Sequence, residues 1–156
     1  MSELKSYILI GSPGSGKSTW GKNMIEVNPD VTRLCPDDFR AKFGSGEGDQ
    51  TVSHQAFSAT KSGMKDALSN GKSVLIDATN MYRKTRKDFI DIAKSYNAET
   101  IAIVFEVDRE TLIDRNQKRG ENGGRNVPVH VIDNMLSKYQ RPTHEEFDVI
   151  KFISKI

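Results

Sequence analysis

A chain of 156 residues predicts one compact domain around a single core, with no room for a second catalytic domain of ordinary size. Hydrophobic residues at 36% and charged residues at 28% exclude a disordered or membrane-embedded composition. A formal net charge of +2 carries no global electrostatic signature of a nucleic-acid binder, so local clusters must be read instead. In chain order, residues 6–10 read as a short buried strand that stops at Gly11. The apolar run 7–10 is too short for a signal peptide or a membrane span, so a cytoplasmic protein with no membrane partner is expected. A helix is expected over 17–27, stopped by Asn28-Pro29-Asp30. Residues 31–35 form a second strand closed by Pro36, with Cys35 at its end as a small buried thiol rather than a reactive one. One cysteine excludes an internal disulfide and a cysteine-only metal site.

Further along, a short helix is expected over 38–43, then a glycine-rich stretch through Gly44, Gly46 and Gly48. A longer helix follows over 52–70 with Gly71 as its C-terminal cap. Residues 73–76 give a third strand that runs directly into Asp77. Between 83 and 96 the set Phe89, Ile92, Ala93 and Tyr96 has helical spacing. Residues 100–107 read as the fourth strand, 110–118 and 129–139 as two helices around a polar connector, and 147–153 as a fifth strand. Strands alternating with helices throughout imply an α/β fold, a parallel sheet of four to five strands with helices on both faces.

The segment Gly11-Ser12-Pro13-Gly14-Ser15-Gly16-Lys17-Ser18 fits G-x-x-x-x-G-K-[ST] at every fixed position, between a strand and a helix. Its glycines allow a tight turn that aims successive N–H groups at an anion, and the helix N-terminus adds partial positive charge. Lys17 supplies a point charge for the β- and γ-phosphates, Ser18 a hydroxyl for Mg²⁺, and Thr19 extends the loop. The cofactors expected are therefore ATP and Mg²⁺. A guanine-reading N-K-x-D is absent, which argues against a GTPase. A ring or motor ATPase would need partner-subunit machinery that a chain this short does not supply.

Four further segments carry a resemblance. Thr19-Trp20 after the loop, Pro36-Asp37-Asp38-Phe39-Arg40, Asp77-Ala78-Thr79-Asn80, and Arg115-Asn116-Gln117-Lys118-Arg119-Gly120 followed by Val127-Pro128, Val131, Ile132 and Met135 resemble the kinase domain of bacteriophage-type polynucleotide 5′-kinases. The resemblance spans nearly the whole chain. It implies an adenylate-kinase-like P-loop NTPase sandwich, with a lid around 109–142. It further implies transfer of the γ-phosphoryl of ATP to the 5′-hydroxyl of DNA or RNA, so nucleic acid 5′ ends are the implied partner. A homo-oligomer is compatible with it. The bidomain relatives carry a D-x-D-x-T phosphatase signature that this sequence lacks, so only the kinase activity is expected.

By that resemblance Asp37 is the general base on the acceptor hydroxyl, at the carboxyl edge of the sheet where ligands bind in such folds. Asp37 or Asp38 alternatively caps the helix that follows. Arg40 would hold the acceptor's phosphate or carboxylate bidentately, or stand as a solvated surface arginine. Asp77 would anchor the acceptor, hold Mg²⁺-bound water (as Asp37 also could), or cap the next turn. Thr79 and Asn80 would bind the acceptor or shape the turn. Arg115 and Arg119, spaced i, i+4, share one helix face. With Arg125 in the glycine-rich connector they would neutralise phosphate charge in the transition state, or pair with Asp114 and Glu121 on the surface. Arg83, Lys84, Arg86 and Lys87 cluster at a helix start, where cations oppose the helix dipole. The cluster would be a phosphate-backbone contact, with Arg83 the substrate-binding candidate, or a solvated face. Phe39 and Phe43 would stack a base or fill the core. The rival readings are a kinase of the same fold acting on a nucleoside, sugar, antibiotic or modified base, and a nucleotide-dependent ATPase or switch with no acceptor but water.

Overall fold

The computed structural model describes residues 3–44, 52–123 and 127–153. The elements are β1 (Lys5–Gly11), α1 (Lys17–Val27), β2 (Thr32–Leu34), α2 (Pro36–Phe43), α3 (Ser53–Ser69), β3 (Val74–Ile76), α4 (Arg83–Ser95), β4 (Glu99–Phe105), α5 (Arg109–Glu121), α6 (Val129–Lys138) and β5 (Val149–Phe152). The five strands form one all-parallel sheet in the order β2-β3-β1-β4-β5. The fold is thus the expected α/β P-loop architecture, with the upper of the two expected strand counts.

Alternation along the central strands divides the core between two faces. Ile8 and Ile10 of β1, with Ala102 and Val104 of β4, pack against Met64 and Leu68 of α3 and Phe89, Ile90 and Ala93 of α4. Leu9, Ile101, Ile103 and Phe105 point the other way, onto Trp20, Met24 and Ile25 of α1. Burial on both faces is why these strands read as near-continuous apolar runs. A third, smaller cluster of Leu112, Val127 and Ile132, backed by Val107, Val131 and Leu136, joins α5 to α6. No helix among the described residues is long and apolar enough to cross a membrane.

Several boundaries differ from the sequence expectation for local reasons. Helix α2 begins at Pro36, two residues early, because proline suits the first helical position, where its missing N–H is not needed. Helix α5 runs on to Glu121 through Gly120. It starts behind Asp108, whose carboxylate accepts the Thr111 N–H at 2.9 Å. The connector after α5 is fastened by Asn116, a buried amide that donates to the Val127 carbonyl and accepts the Val127 N–H at 2.9 Å. Asn116→Ala is expected to cost about 2 kcal/mol in urea denaturation, because it strands two buried backbone groups of Val127.

The cluster Arg83, Lys84, Arg86, Lys87 does not act as one surface. Arg83 and Lys84 are exposed, and Lys87 pairs with Asp91 at 2.6 Å. Arg86 is fully buried on the face of α4 that also carries Phe89, Ile90 and Ala93. Its Nε and Nη2 donate to Glu146 at 2.9–3.1 Å, and its Nη1 donates to the carbonyls of Asn80 and Gln140 at 3.0 and 2.7 Å. This arginine therefore ties the segment after β3 to the segment between α6 and β5. A phosphate contact is not open to it.

Candidate functional site

Three strands deliver the site to one edge. Strand β1 ends in the phosphate loop, β2 runs into Cys35-Pro36-Asp37, and β3 runs into Asp77. Parallel pairing of β2 with β3 and β3 with β1 brings these carboxyl ends together. Continuations of the ladder hold the turns in place: Asp77 N–H donates to the Leu34 carbonyl and Gly11 N–H to the Thr79 carbonyl, both at 2.9 Å.

Within the phosphate loop, Gly14 and Gly16 adopt φ of 85° and 94°, the left-handed region open to glycine at little cost. A Cβ at Gly14 would also meet the Leu112 carbonyl of α5 at 3.2 Å. Arg115 of the same helix donates from Nη1 to the Gly14 carbonyl at 3.2 Å. The loop is thus seated between α1 behind it and α5 beside it.

In front of the loop lies a cavity of about 380 Å³. It is lined by Gly14, Gly16, Lys17, Ser18 and Thr19 from the loop and the start of α1, by Asp37, Arg40, Asp77 and Thr79 from beyond β2 and β3, and by Arg119 of α5. Burial lowers the Lys17 pKa from its usual 10.5, against the pull of Asp77 first and Asp37 second. A half-buried ammonium whose charged form is disfavoured gains from an anion that joins it in the cavity. The Ser18 hydroxyl donates to Asp77 Oδ1 at 3.3 Å. Asp37 is paired with Arg40 Nη1, and Arg40 Nε donates to Ser53 at 3.3 Å while its guanidinium lies 5.7 Å from the Phe57 ring centroid. Burial pushes the Cys35 thiol up to about 11, so it stays protonated beside the cavity, as a small hydrophobe would.

Of the other candidates, Asn80 is fully buried at φ 48° and donates to the Leu9 carbonyl at 2.8 Å, which is turn-shaping work away from the cavity. Arg83 is not a lining residue; its backbone N–H donates to Gln140 Oε1 at 2.8 Å. Arg115 contacts the loop from outside the cavity lining, whereas Arg119 lines it. Arg125 lies outside the described residues. Phe39 and Phe43 stack on each other at 5.9 Å, and the aromatic that lines the cavity is Phe57 of α3.

Three lining residues escaped sequence reasoning: Lys22 of α1, Arg33 and Phe57. Phe57 sits in α3, where no motif set it apart from the helix's other apolar residues. Arg33, in β2, donates through Nε and Nη2 to Asp77 Oδ2 at 3.0 and 2.6 Å and through Nη1 to Asp38 at 2.9 Å. A charged residue inside a short strand, four positions before an acidic pair, was the available signal.

The AAA_33 family profile, described as an AAA domain, matches residues 7–142. The chain is similar to an L-seryl-tRNA(Sec) kinase of Methanococcus maripaludis, 33% identical over 141 residues covering 86% of this chain and 52% of that protein. It is also similar to a bifunctional polynucleotide phosphatase/kinase of Schizosaccharomyces pombe, 29% identical over 146 residues covering 89% of this chain and 30% of that one. The chain therefore spans about half or less of the length of these curated relatives. Among solved structures, a chain of the Pnkp1/Rnl/Hen1 RNA repair complex superposes with a TM-score of 0.77 at 28% identity, over 88% of this chain and 45% of that one.

Proposed function

We propose, from the premise that the chain belongs to the AAA_33 family, that it is an ATP-dependent kinase acting on a primary hydroxyl carried by a nucleic acid, the 5′-hydroxyl of DNA or RNA in the first instance. The observation that carries this reading is that Asp37, paired with Arg40, lines the same cavity as Lys17 and Ser18. The reaction is an in-line displacement. The acceptor oxygen forms a bond to the γ-phosphorus, the bond to the β–γ bridging oxygen breaks, ADP leaves, and the acceptor proton passes to the Asp37 carboxylate. Lys17 and Arg119, which both line the cavity, would meet the charge that accumulates on the transferring group. The Arg40 guanidinium and the Phe57 face suit the phosphate and the ring of a nucleotide acceptor.

The residues present fit Mg²⁺. Ser18 and Asp77 offer hard oxygen donors 3.3 Å apart, and among the described residues no cluster of three or more His, Cys, Asp or Glu forms a protein-only cage. Mg²⁺ commonly takes one or two protein oxygens and completes its shell with water and phosphate. Bound there, it would neutralise charge on the β- and γ-phosphates.

The deciding experiment is transfer of labelled γ-phosphate from ATP with Mg²⁺, offered 5′-hydroxyl DNA and RNA oligonucleotides, a seryl-tRNA and a nucleoside panel. Asp37→Ala runs in parallel and should reduce transfer by on the order of 10²–10⁴-fold. Label on an oligonucleotide 5′ end supports the reading. Label on the seryl-tRNA would move the acceptor to the kind that the archaeal relative's name describes. Label on a nucleoside alone would make this a small-molecule kinase. Free phosphate alone, indifferent to Asp37→Ala, would make it an ATPase.

A further inference from the structure

Asp77 is 1% exposed, a nearly buried carboxyl in the lining of the cavity. A carboxylate so buried must be matched by a cation within reach. Two are available. Arg33 places two N–H groups on Oδ2, and Lys17 is the cavity's ammonium, drawn by Asp77 more than by any other acid. Only Arg33 is engaged. Among the described residues the Lys17 ammonium makes no hydrogen bond or ion pair, although it shares the cavity with Asp77 and Asp37.

Arg33 is itself held from the far side by Asp38, which is 60% exposed and accepts its Nη1 at 2.9 Å. A fork that binds two carboxylates at once is a task for guanidinium rather than ammonium. The remaining Asp77 oxygen, Oδ1, accepts a hydrogen bond from the Ser18 hydroxyl, which leaves the lone pairs of Ser18 directed elsewhere. Arg33 thereby decides both which way Asp77 faces and whether it has charge left over.

We propose that Arg33 is a positioning residue: by occupying Asp77 it prevents an Asp77–Lys17 ion pair and keeps Lys17 uncommitted for the phosphates of a bound nucleotide. Without it, the buried carboxylate captures the ammonium, and a nucleotide must break that pair before it can bind. The inference rests on the nucleotide-binding reading of the phosphate loop but not on the identity of the acceptor.

The test is ADP binding by titration calorimetry in the presence of EDTA, so that no metal contributes, across a double-mutant cycle of the full chain. Arg33→Met is expected to weaken ADP binding about tenfold. In the Asp77→Asn background, where no charge remains to capture Lys17, the same Arg33→Met change should leave affinity within about threefold. The second comparison stands even where Arg33→Met alone folds poorly, because the paired variant strands no carboxylate at position 77. Equal losses in both backgrounds would mean that Arg33 acts on the nucleotide directly and would overturn the proposal. So would wild-type affinity in Arg33→Met. Wild-type protein that binds no ADP would instead remove the nucleotide reading, and this inference with it.

Discussion

Lys17→Met is expected to abolish nucleotide-dependent stabilisation and to cut phosphoryl transfer on the order of a thousandfold, while leaving the unliganded protein at least as stable as the wild type. The asymmetry follows from the site. Burial lowers the Lys17 pKa below its usual 10.5 despite Asp77 and Asp37, so the folded protein disfavours the charged form that neutral pH imposes. A base whose folded-state pKa lies below its unfolded value costs stability while both states carry the proton, and that cost disappears as the pH rises past 10.5. Replacing the ammonium by a thioether of similar length removes the cost at pH 7. It also removes the charge that meets the phosphates. A wild-type protein saturated at a hundred times its dissociation constant should gain about 5–10 °C in Tm from ATP. The variant should gain nothing. Differential scanning fluorimetry with and without ATP reads both quantities, and a variant whose unliganded Tm falls by several degrees would contradict the desolvation argument.

Arg86→Ala should be the most damaging substitution to stability, at about 3–5 kcal/mol in urea denaturation. Arg86 is fully buried, and its side-chain bonds go to both oxygens of Glu146 and the carbonyls of Asn80 and Gln140. Truncation leaves a cavity, two carbonyls without a donor and a carboxylate that is 15% exposed without its cation. The larger part of the loss is the stranded charge. Arg86→Met combined with Glu146→Gln should therefore recover part of it, whereas a purely steric role would make the pair worse than either single change. Since a domain of this size is stable by only about 5–15 kcal/mol, the single variant is expected to unfold near physiological temperature.

Arg86 also shows where sequence reasoning stops. Read along the chain, it belongs to a run of four cations; read around the helix, it stands three and four positions before Phe89 and Ile90, on the buried face. Periodicity alone puts an arginine on that face. It does not supply Glu146, sixty positions away, which makes the burial tolerable. Asn80 carries the same lesson. Its motif position left acceptor binding and turn shaping equally open, and the hydrogen bond to Leu9 across the sheet places it in the turn.

What the sequence determined by itself is everything governed by local chemistry. The glycine spacing and the lysine–serine pair define the phosphate loop, since backbone freedom and an anion-binding helix start need only neighbours in the chain. Alternation of apolar runs with helical periodicity defined the parallel sheet covered on both faces. The positions of Asp37 and Asp77 at strand ends brought both to the carboxyl edge. Only the tertiary structure decided which charges pair there. Arg33 with Asp77 and Asp38, Arg40 with Asp37, Arg86 with Glu146, and the division of Arg119 into the cavity from Arg115 onto Gly14 all depend on distances between separate elements. The physical reason is the range of the forces. Backbone conformation and hydrophobic patterning are set within a turn or a strand, whereas a buried charge is satisfied by whichever partner the folded sheet brings within about 3 Å.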